Sequence, residues 1–160
     1  MNKTIFITGA SSGIGKETAK LFHSKGWNVI ATMRNPENET ELNELDNVLV
    51  AKLDVLDLDS IQKAFQDGVQ KFGNIDVLLN NAGIASMNHF LTTSYETVKN
   101  IFSTNFFGTF LFSREVSKVM MKQKSGRIVN FTTIATPLSL EGEAIYASSK
   151  SAIENLTQTI

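Results

Sequence analysis

Tyr146 and Lys150 stand four positions apart, a spacing that places both side chains on one face of a helix. A tyrosine hydroxyl titrates near pH ~10 and is a poor proton donor or acceptor at neutrality. An ammonium one helical turn away favours the phenolate form and brings general acid–base work within reach. A second candidate lies near the start of the chain, in Thr8-Gly9-Ala10-Ser11-Ser12-Gly13-Ile14-Gly15. Gly9 suits a tight turn, Gly13 lets the backbone approach a diphosphate, and Gly15 lets a helix close on a strand. The amides and partial positive charge at the start of the following helix would then face the phosphates. Each signal has a plainer alternative: Tyr-x-x-x-Lys is common on solvated helices, and a glycine-rich turn need hold no ligand. Their meaning rests on the elements that carry them.

Short β-rich runs alternate with stretches of helical period, the pattern of βαβ units and a parallel sheet. The predicted strands are Thr4–Thr8, Val29–Thr32, Val48–Leu53, Ile75–Asn80 and Arg127–Phe131. They are continuously apolar rather than alternating, as strands covered on both faces should be. The expected fold class is therefore α/β, a doubly wound (Rossmann-type), mainly parallel sheet of about five strands with helices on both faces. Ile14, Thr18, Leu21, Phe22 and Lys25 carry a helical period that Gly26 ends. Ser60 reads as the cap of a helix burying Ile61, Ala64, Phe65, Val69 and Phe72, with Gly73 at its end. One long helix is expected from about Thr97 to Met121, and another from Tyr146 to Ile160. The acidic segment Glu37–Asp46 reads as a solvated helix face. The glycine turn thus follows the first strand and opens a helix, the order that phosphate binding requires.

In this setting the motifs resemble the short-chain dehydrogenase/reductase family. Thr-Gly-x-x-x-Gly-x-Gly resembles its glycine fingerprint, Asn80-Asn81-Ala82-Gly83 follows the fourth strand, Asn105 sits in a helix, and Tyr146-x-x-x-Lys150 follows the fifth strand. The resemblance implies that Tyr146 exchanges a proton with an alcohol or carbonyl oxygen. It implies that Lys150 binds nicotinamide ribose hydroxyls and tunes the tyrosine, and that Asn105 holds a water in a proton relay. A buried, hydrogen-bonded helix asparagine is the alternative for Asn105. The family's serine hydroxyl, thirteen positions before the tyrosine, falls here on Thr133. Threonine keeps the donor, but its extra methyl and stiff χ1 put the placement in question. The cofactor would lie against Gly9, Ser11, Ser12, Gly13, Ile14 and Gly15 of the turn. Beyond it would come Asn81, Ala82 and Gly83, then Asp54 and Val55 at the adenine end, with Tyr146 and Lys150 at the nicotinamide end. For Asp54 a simple turn or capping role is the alternative.

Members preferring NAD carry an acidic residue at the end of the second strand, where it accepts from the ribose 2′-hydroxyl and repels a 2′-phosphate. Here that place reads Met33, followed by Arg34, so NADP(H) is favoured over NAD(H). A second basic residue in the glycine turn is missing, since Ser12 stands there. The function implied is an oxidoreductase moving hydride between NADP(H) and an alcohol or carbonyl substrate. A dinucleotide-binding module without turnover is the alternative. The apolar loop Thr136–Gly142 hints at a hydrophobic alcohol or ketone.

Composition narrows the rest. A chain of 160 residues fits one dinucleotide-binding and catalytic domain spanning 1–160. A net charge of -1 without a basic stripe argues against nucleic acid. The absence of cysteine excludes thiolate chemistry, and His23 and His89 lack ligand-spaced neighbours, so no metal site is expected. The first apolar run is too short for a signal segment or a membrane span, and a cytoplasmic chain is the expectation. Phe102, Phe106, Phe107, Phe110 and Phe112 outnumber one core-facing stripe; the family resemblance implies a subunit interface on this helix, so an exposed apolar face there suggests a homodimer, with core packing alone as the alternative. The last helix stops without a cap, and a sheet of this type commonly has six or more strands, so a truncated protein is expected. An exposed strand edge and aggregation would then be the hazard.

Overall fold

The computed structural model describes residues 2–160. Strands β1 (Thr4–Ile7), β2 (Asn28–Met33), β3 (Val48–Lys52), β4 (Val77–Asn80) and β5 (Arg127–Asn130) form one sheet, ordered β3-β2-β1-β4-β5. Every neighbouring pair is parallel. The chain winds outward from β1 to β3, then returns to place β4 on the other side of β1. The strand order reverses there, and a crevice opens beyond the carboxyl ends of β1 and β4. The glycine turn leaves β1 and Asn81-Ala82-Gly83 leaves β4, so both face that crevice.

Successive side chains point to opposite faces of a strand, and each face has its own core. Phe6, Ile30 and Leu78 pack on one face with Ile61 and Ala64 of α2 (Leu58–Phe72) and Phe112 and Val116 of α4 (Gly108–Gln123). Ile5, Ile7, Val29 and Ala31 pack on the other with Ala19 of α1 (Gly13–Ser24) and Leu42. All four residues of β1 are buried, which is why that run carries no alternation. At the outer edge, β5 is only half covered and Val129 is 45% exposed.

Several elements depart from expectation. The cap of α2 is Asp57, not Ser60: its carboxylate accepts from the amides of Asp59 and Ser60. Ser60 lies within the first turn, where its hydroxyl accepts from Asp54 N–H at 2.9 Å. The segment predicted as one helix from Thr97 starts at Tyr95, capped by Ser94, and contains a π-type turn at Ser103–Phe107. α3 is Tyr95–Phe102, and α4 follows the turn. Glu37–Asp46 is not a helix face. It holds two short 3-10 turns, Pro36–Asn38 and Leu42–Glu44, and buries Glu39 and Leu42. The last helix, α6 (Ala144–Thr159), begins two residues earlier than expected, after the short α5 (Ala135–Leu138). No described helix is long and apolar enough to cross a membrane.

Glu39 ties the loop after β2 to α1. Its Oε1 accepts from Leu42 N–H at 3.0 Å and pairs with Lys16 Nζ at 3.1 Å. Burial pushes its pKa up, but the Leu42 amide and the Lys16 ammonium outweigh that and hold it below the ordinary carboxylate value. Glu39→Gln is expected to lower the urea midpoint at neutral pH by the equivalent of roughly 0.5–1 kcal/mol, since Lys16 remains reachable by water. With a folded pKa below the reference of 4.5, this stabilisation is present above that value and vanishes as pH falls through the lower one. The gap between wild type and variant should therefore close on acidification; a gap unchanged in acid rules out the ion pair as its source.

Candidate active site

A cavity of about 600 Å³ occupies the crevice at the strand-order reversal. Of the residues expected to hold a cofactor, Gly9, Ser11, Ser12, Ile14, Arg34, Asp54, Val55, Asn81, Ala82 and Gly83 line it. Gly13 and Gly15 do not: Gly13 supplies a left-handed backbone in open space, and Gly15 packs against Gly9 and Asn81. Gly9 and Gly13 have φ of 68° and 55°, the left-handed region that side chains resist. A Cβ on Gly9 would come within 2.9 Å of Ala82 Cα. A Cβ on Gly15 would meet Gly9 O and lie 2.6 Å from Asn81 Nδ2. The first turn of α1 has neither an acidic residue nor a side-chain cap, because Ser12 makes no capping bond. The amides of that turn thus have no side-chain partner, and Ser12 and Ile14 line the cavity, an arrangement that suits an anion.

Thr8 and Asn81 hold the two turns together. Thr8 Oγ1 accepts from the amides of Asn81 at 3.0 Å and Ala82 at 3.1 Å. Asn81 Nδ2 returns bonds to the carbonyls of Thr8 at 3.1 Å and Gly9 at 2.8 Å. At the far end, Met33 is buried and lines the cavity, while Arg34 is exposed and, among the described residues, pairs with no carboxylate. Asp54 lines the cavity and also accepts from Leu56 N–H at 3.0 Å, so its turn role and its place in the wall coexist.

None of the four expected catalytic residues is in the lining of this cavity; Asn105 and Lys150 lie against Gly83 of its wall, Tyr146 lies beside Lys150, and Thr133 stands just before α5. Tyr146 lies in the first turn of α6, half-buried, with Lys150 Nζ 6.0 Å from its ring centre. Lys150 is buried and donates to Phe131 O at 2.9 Å. Burial holds its pKa below the ordinary lysine value, and no described carboxylate pairs with it. A buried cation whose only partner is a carbonyl still has donors to give. Asn105, fully buried in the π-type turn, accepts from Ile84 N–H at 2.8 Å and donates to Ile84 O at 2.9 Å and Ser149 Oγ at 3.1 Å. Gly83 joins the groups: a Cβ there would lie 3.3 Å from Asn105 Oδ1 and 3.7 Å from Lys150 Nζ. Thr133 Oγ1 accepts from Ala135 N–H at 3.1 Å at the start of α5, which leaves its own proton free.

Sequence reasoning missed Leu56, Ile84, Asn100 and Thr104 in the cavity wall. Asn100 and Thr104 are polar, four apart and next to Asn105, a signal that was present but unread. The loop Thr136–Gly142, expected to line a pocket, divides. Thr136 turns inward to Ser151 at 3.1 Å. Glu141 and Gly142 instead border a second, open cavity of about 510 Å³ with Met87, Asn88, His89 and Phe90. Asn88 N–H to Gly142 O at 3.0 Å closes its two walls, just before α6 begins. Among the described residues, no group of acidic or histidine side chains has metal-site geometry.

The model of the short chain dehydrogenase family matches residues 3–160, and the chain belongs to that family. An uncharacterized oxidoreductase of Schizosaccharomyces pombe is 35% identical over 158 residues, covering 98% of this chain and 53% of that protein. The 3-oxoacyl-[acyl-carrier-protein] reductase of Thermotoga maritima is 36% identical over 162 residues, covering 98% of this chain and 66% of its own. The structure of ElxO with NADP bound superposes with a TM-score of 0.91 at 33% identity, covering 98% of this chain and 65% of that one. The chain thus spans about half to two-thirds of the length of the relatives it matches.

Gly15→Ala is expected to cost about 1–3 kcal/mol of unfolding free energy, because the Gly9 backbone carbonyl and the Asn81 side-chain amide, itself held by Thr8 O and Gly9 O, block the added methyl. Urea denaturation measures it, and a variant as stable as wild type would mean the α1–β4 contact is looser than described.

Proposed function

We propose that residues 1–160 form a dinucleotide-binding and catalytic unit that transfers hydride between NADP(H) and an alcohol or carbonyl carbon. The reading is carried by one observation: the uncapped start of α1 and the carboxylate-free, buried Lys150 flank the same crevice. Bound there, a nicotinamide would give or take the hydride at its C4 carbon. The α1 amides would hold its diphosphate, and Asp54 and Val55 would hold its adenine end. Arg34, without a carboxylate partner, offers a planar fork to a 2′-phosphate. The NADP in the ElxO structure supports this choice of cofactor.

Tyr146 then passes its phenolic proton to the carbonyl oxygen in reduction, and removes it from the alcohol in oxidation. Lys150 lends positive charge to the phenolate and points remaining donors at the ribose hydroxyls. Thr133 directs its free proton at the substrate oxygen and so fixes the carbonyl. Asn105 keeps one Oδ1 lone pair beyond its bond to Ile84, enough to hold a relay water. The cavity before α6, with Met87 and Phe90 in its walls, suits an apolar substrate. A 3-oxoacyl thioester is the first compound to offer, given the reductases among the relatives. We further propose that Phe107 and Phe110, 52% and 38% exposed on the α4 side, pair two copies of the chain.

Loss of NADPH absorbance in the presence of ketones and 3-oxoacyl thioesters is the direct test, and it separates an enzyme from a module that only binds. Tyr146→Phe should cut kcat by about 10²–10⁴-fold while leaving the NADPH dissociation constant nearly unchanged. Turnover that survives this variant removes Tyr146 from the chemistry. Arg34→Ala should weaken NADPH about tenfold and spare NADH; equal losses for both would overturn the NADP assignment.

A further inference from the structure

Gly108 opens α4 immediately after the π-type turn and is buried. A Cβ on it would stand 2.8 Å from both Cβ and Cγ2 of Val55, and 3.4 Å from Val55 O. Real carbon contacts do not come so close, so any side chain at position 108 must displace Val55 or α4. α4 is fixed from its other side, since Phe112 and Val116 are buried in the core against Phe6 and Leu78. Val55 is fixed along the chain. On one side Asp54 N–H donates to Ser60 Oγ at 2.9 Å; on the other, Leu56 N–H donates to Asp54 Oδ1 and Asp57 N–H to Asp54 O, both at 3.0 Å. Val55 also lines the crevice, together with Asp54 and Leu56. A side chain at position 108 would therefore press on a residue of the cavity wall.

We propose that Gly108 is a positioning residue for the adenine end of the dinucleotide: the missing side chain lets α4 back Val55 at the depth that leaves the adenine slot open. This rests on the dinucleotide reading above. It also links the two ends of the site, because the π-type turn that seats Asn105 and puts Thr104 in the cavity wall runs directly into Gly108.

The test is titration of the purified full chain with 2′,5′-ADP, which is the adenine half alone, and with NADPH. Gly108→Ala should weaken both ligands by the same factor, at least about fivefold, because the lost fit lies in the half they share. In Val55→Gly/Gly108→Ala the crowding carbons of Val55 are gone, so this double variant should bind 2′,5′-ADP as Val55→Gly alone does. A Gly108→Ala protein that melts like wild type and binds 2′,5′-ADP equally well overturns the proposal. So does a variant that loses NADPH far more than 2′,5′-ADP, which would place the damage elsewhere. Should Gly108→Ala fail to fold, Val55→Gly takes its place as the background: adding Gly108→Ala to it must no longer weaken 2′,5′-ADP, and a further loss of about fivefold or more overturns the proposal. A wild-type chain that binds neither reduced nicotinamide nor 2′,5′-ADP would instead bring down the dinucleotide reading, and this proposal with it.

Discussion

The close crossing of the turns after β1 and β4 is the constraint on which the rest depends. Three backbones meet where Gly9, Gly15 and Ala82 approach to within the space of a single methyl group. Such an approach strands polar backbone groups, and each must find a partner or cost free energy. Thr8 and Asn81 supply those partners reciprocally, hydroxyl to amides and amide to carbonyls. The junction is therefore both tight and satisfied. Its geometry fixes the direction in which α1 leaves the sheet, and with it the aim of the uncapped amides.

A second junction repeats this logic one layer further out. Asn105 serves both the N–H and the C=O of Ile84 and reaches Ser149 on α6. It thereby joins the strand-end loop, the α3–α4 segment and the helix carrying Tyr146 and Lys150. A regular α-helix would not offer this residue the same seat; the π-type turn at Ser103–Phe107 does, and local π geometry is frequent at functional sites. The bonds observed are those of a structural asparagine, and the proposed water relay needs only the lone pair they leave over. The two readings of Asn105 are therefore compatible.

The strands were legible because burial on both faces leaves a continuous apolar run bounded by polar residues, and all five fall within two residues of the expected bounds. The glycine turn was legible because its spacing follows from sterics. What escaped was set by competition between neighbours. Asp57 outcompeted Ser60 as a cap because Ser60 had a closer use, bridging back to Asp54. Glu37–Asp46 looked solvated from its charge, yet Lys16 lies far away in sequence and near in space, so Glu39 could be buried. The π-type turn carries no local sequence signal that the periodicity could show; it coincides with the bonds of Asn105 to Ile84 and Ser149, both distant in sequence.

The two ends of the site differ in how they are held. The cofactor side rests on β1 and β4, whose residues sit deep in both cores. The side carrying Thr133, Tyr146 and Lys150 hangs from β5, a half-covered edge strand. Besides the buried Ala135 and Ile153, polar bonds hold it: Asn80 Nδ2 to Asn130 Oδ1 at 2.8 Å, Asn130 Nδ2 to Thr157 Oγ1 at 2.8 Å, and Lys150 Nζ to Phe131 O at 2.9 Å. Hydrogen bonds fix direction but contribute about 1 kcal/mol each, whereas a buried side chain contributes roughly 1.5–3. On the proposed reading, apolar burial sets the wall against which the dinucleotide lies, and this polar set aims the ammonium and, through α6, the phenol.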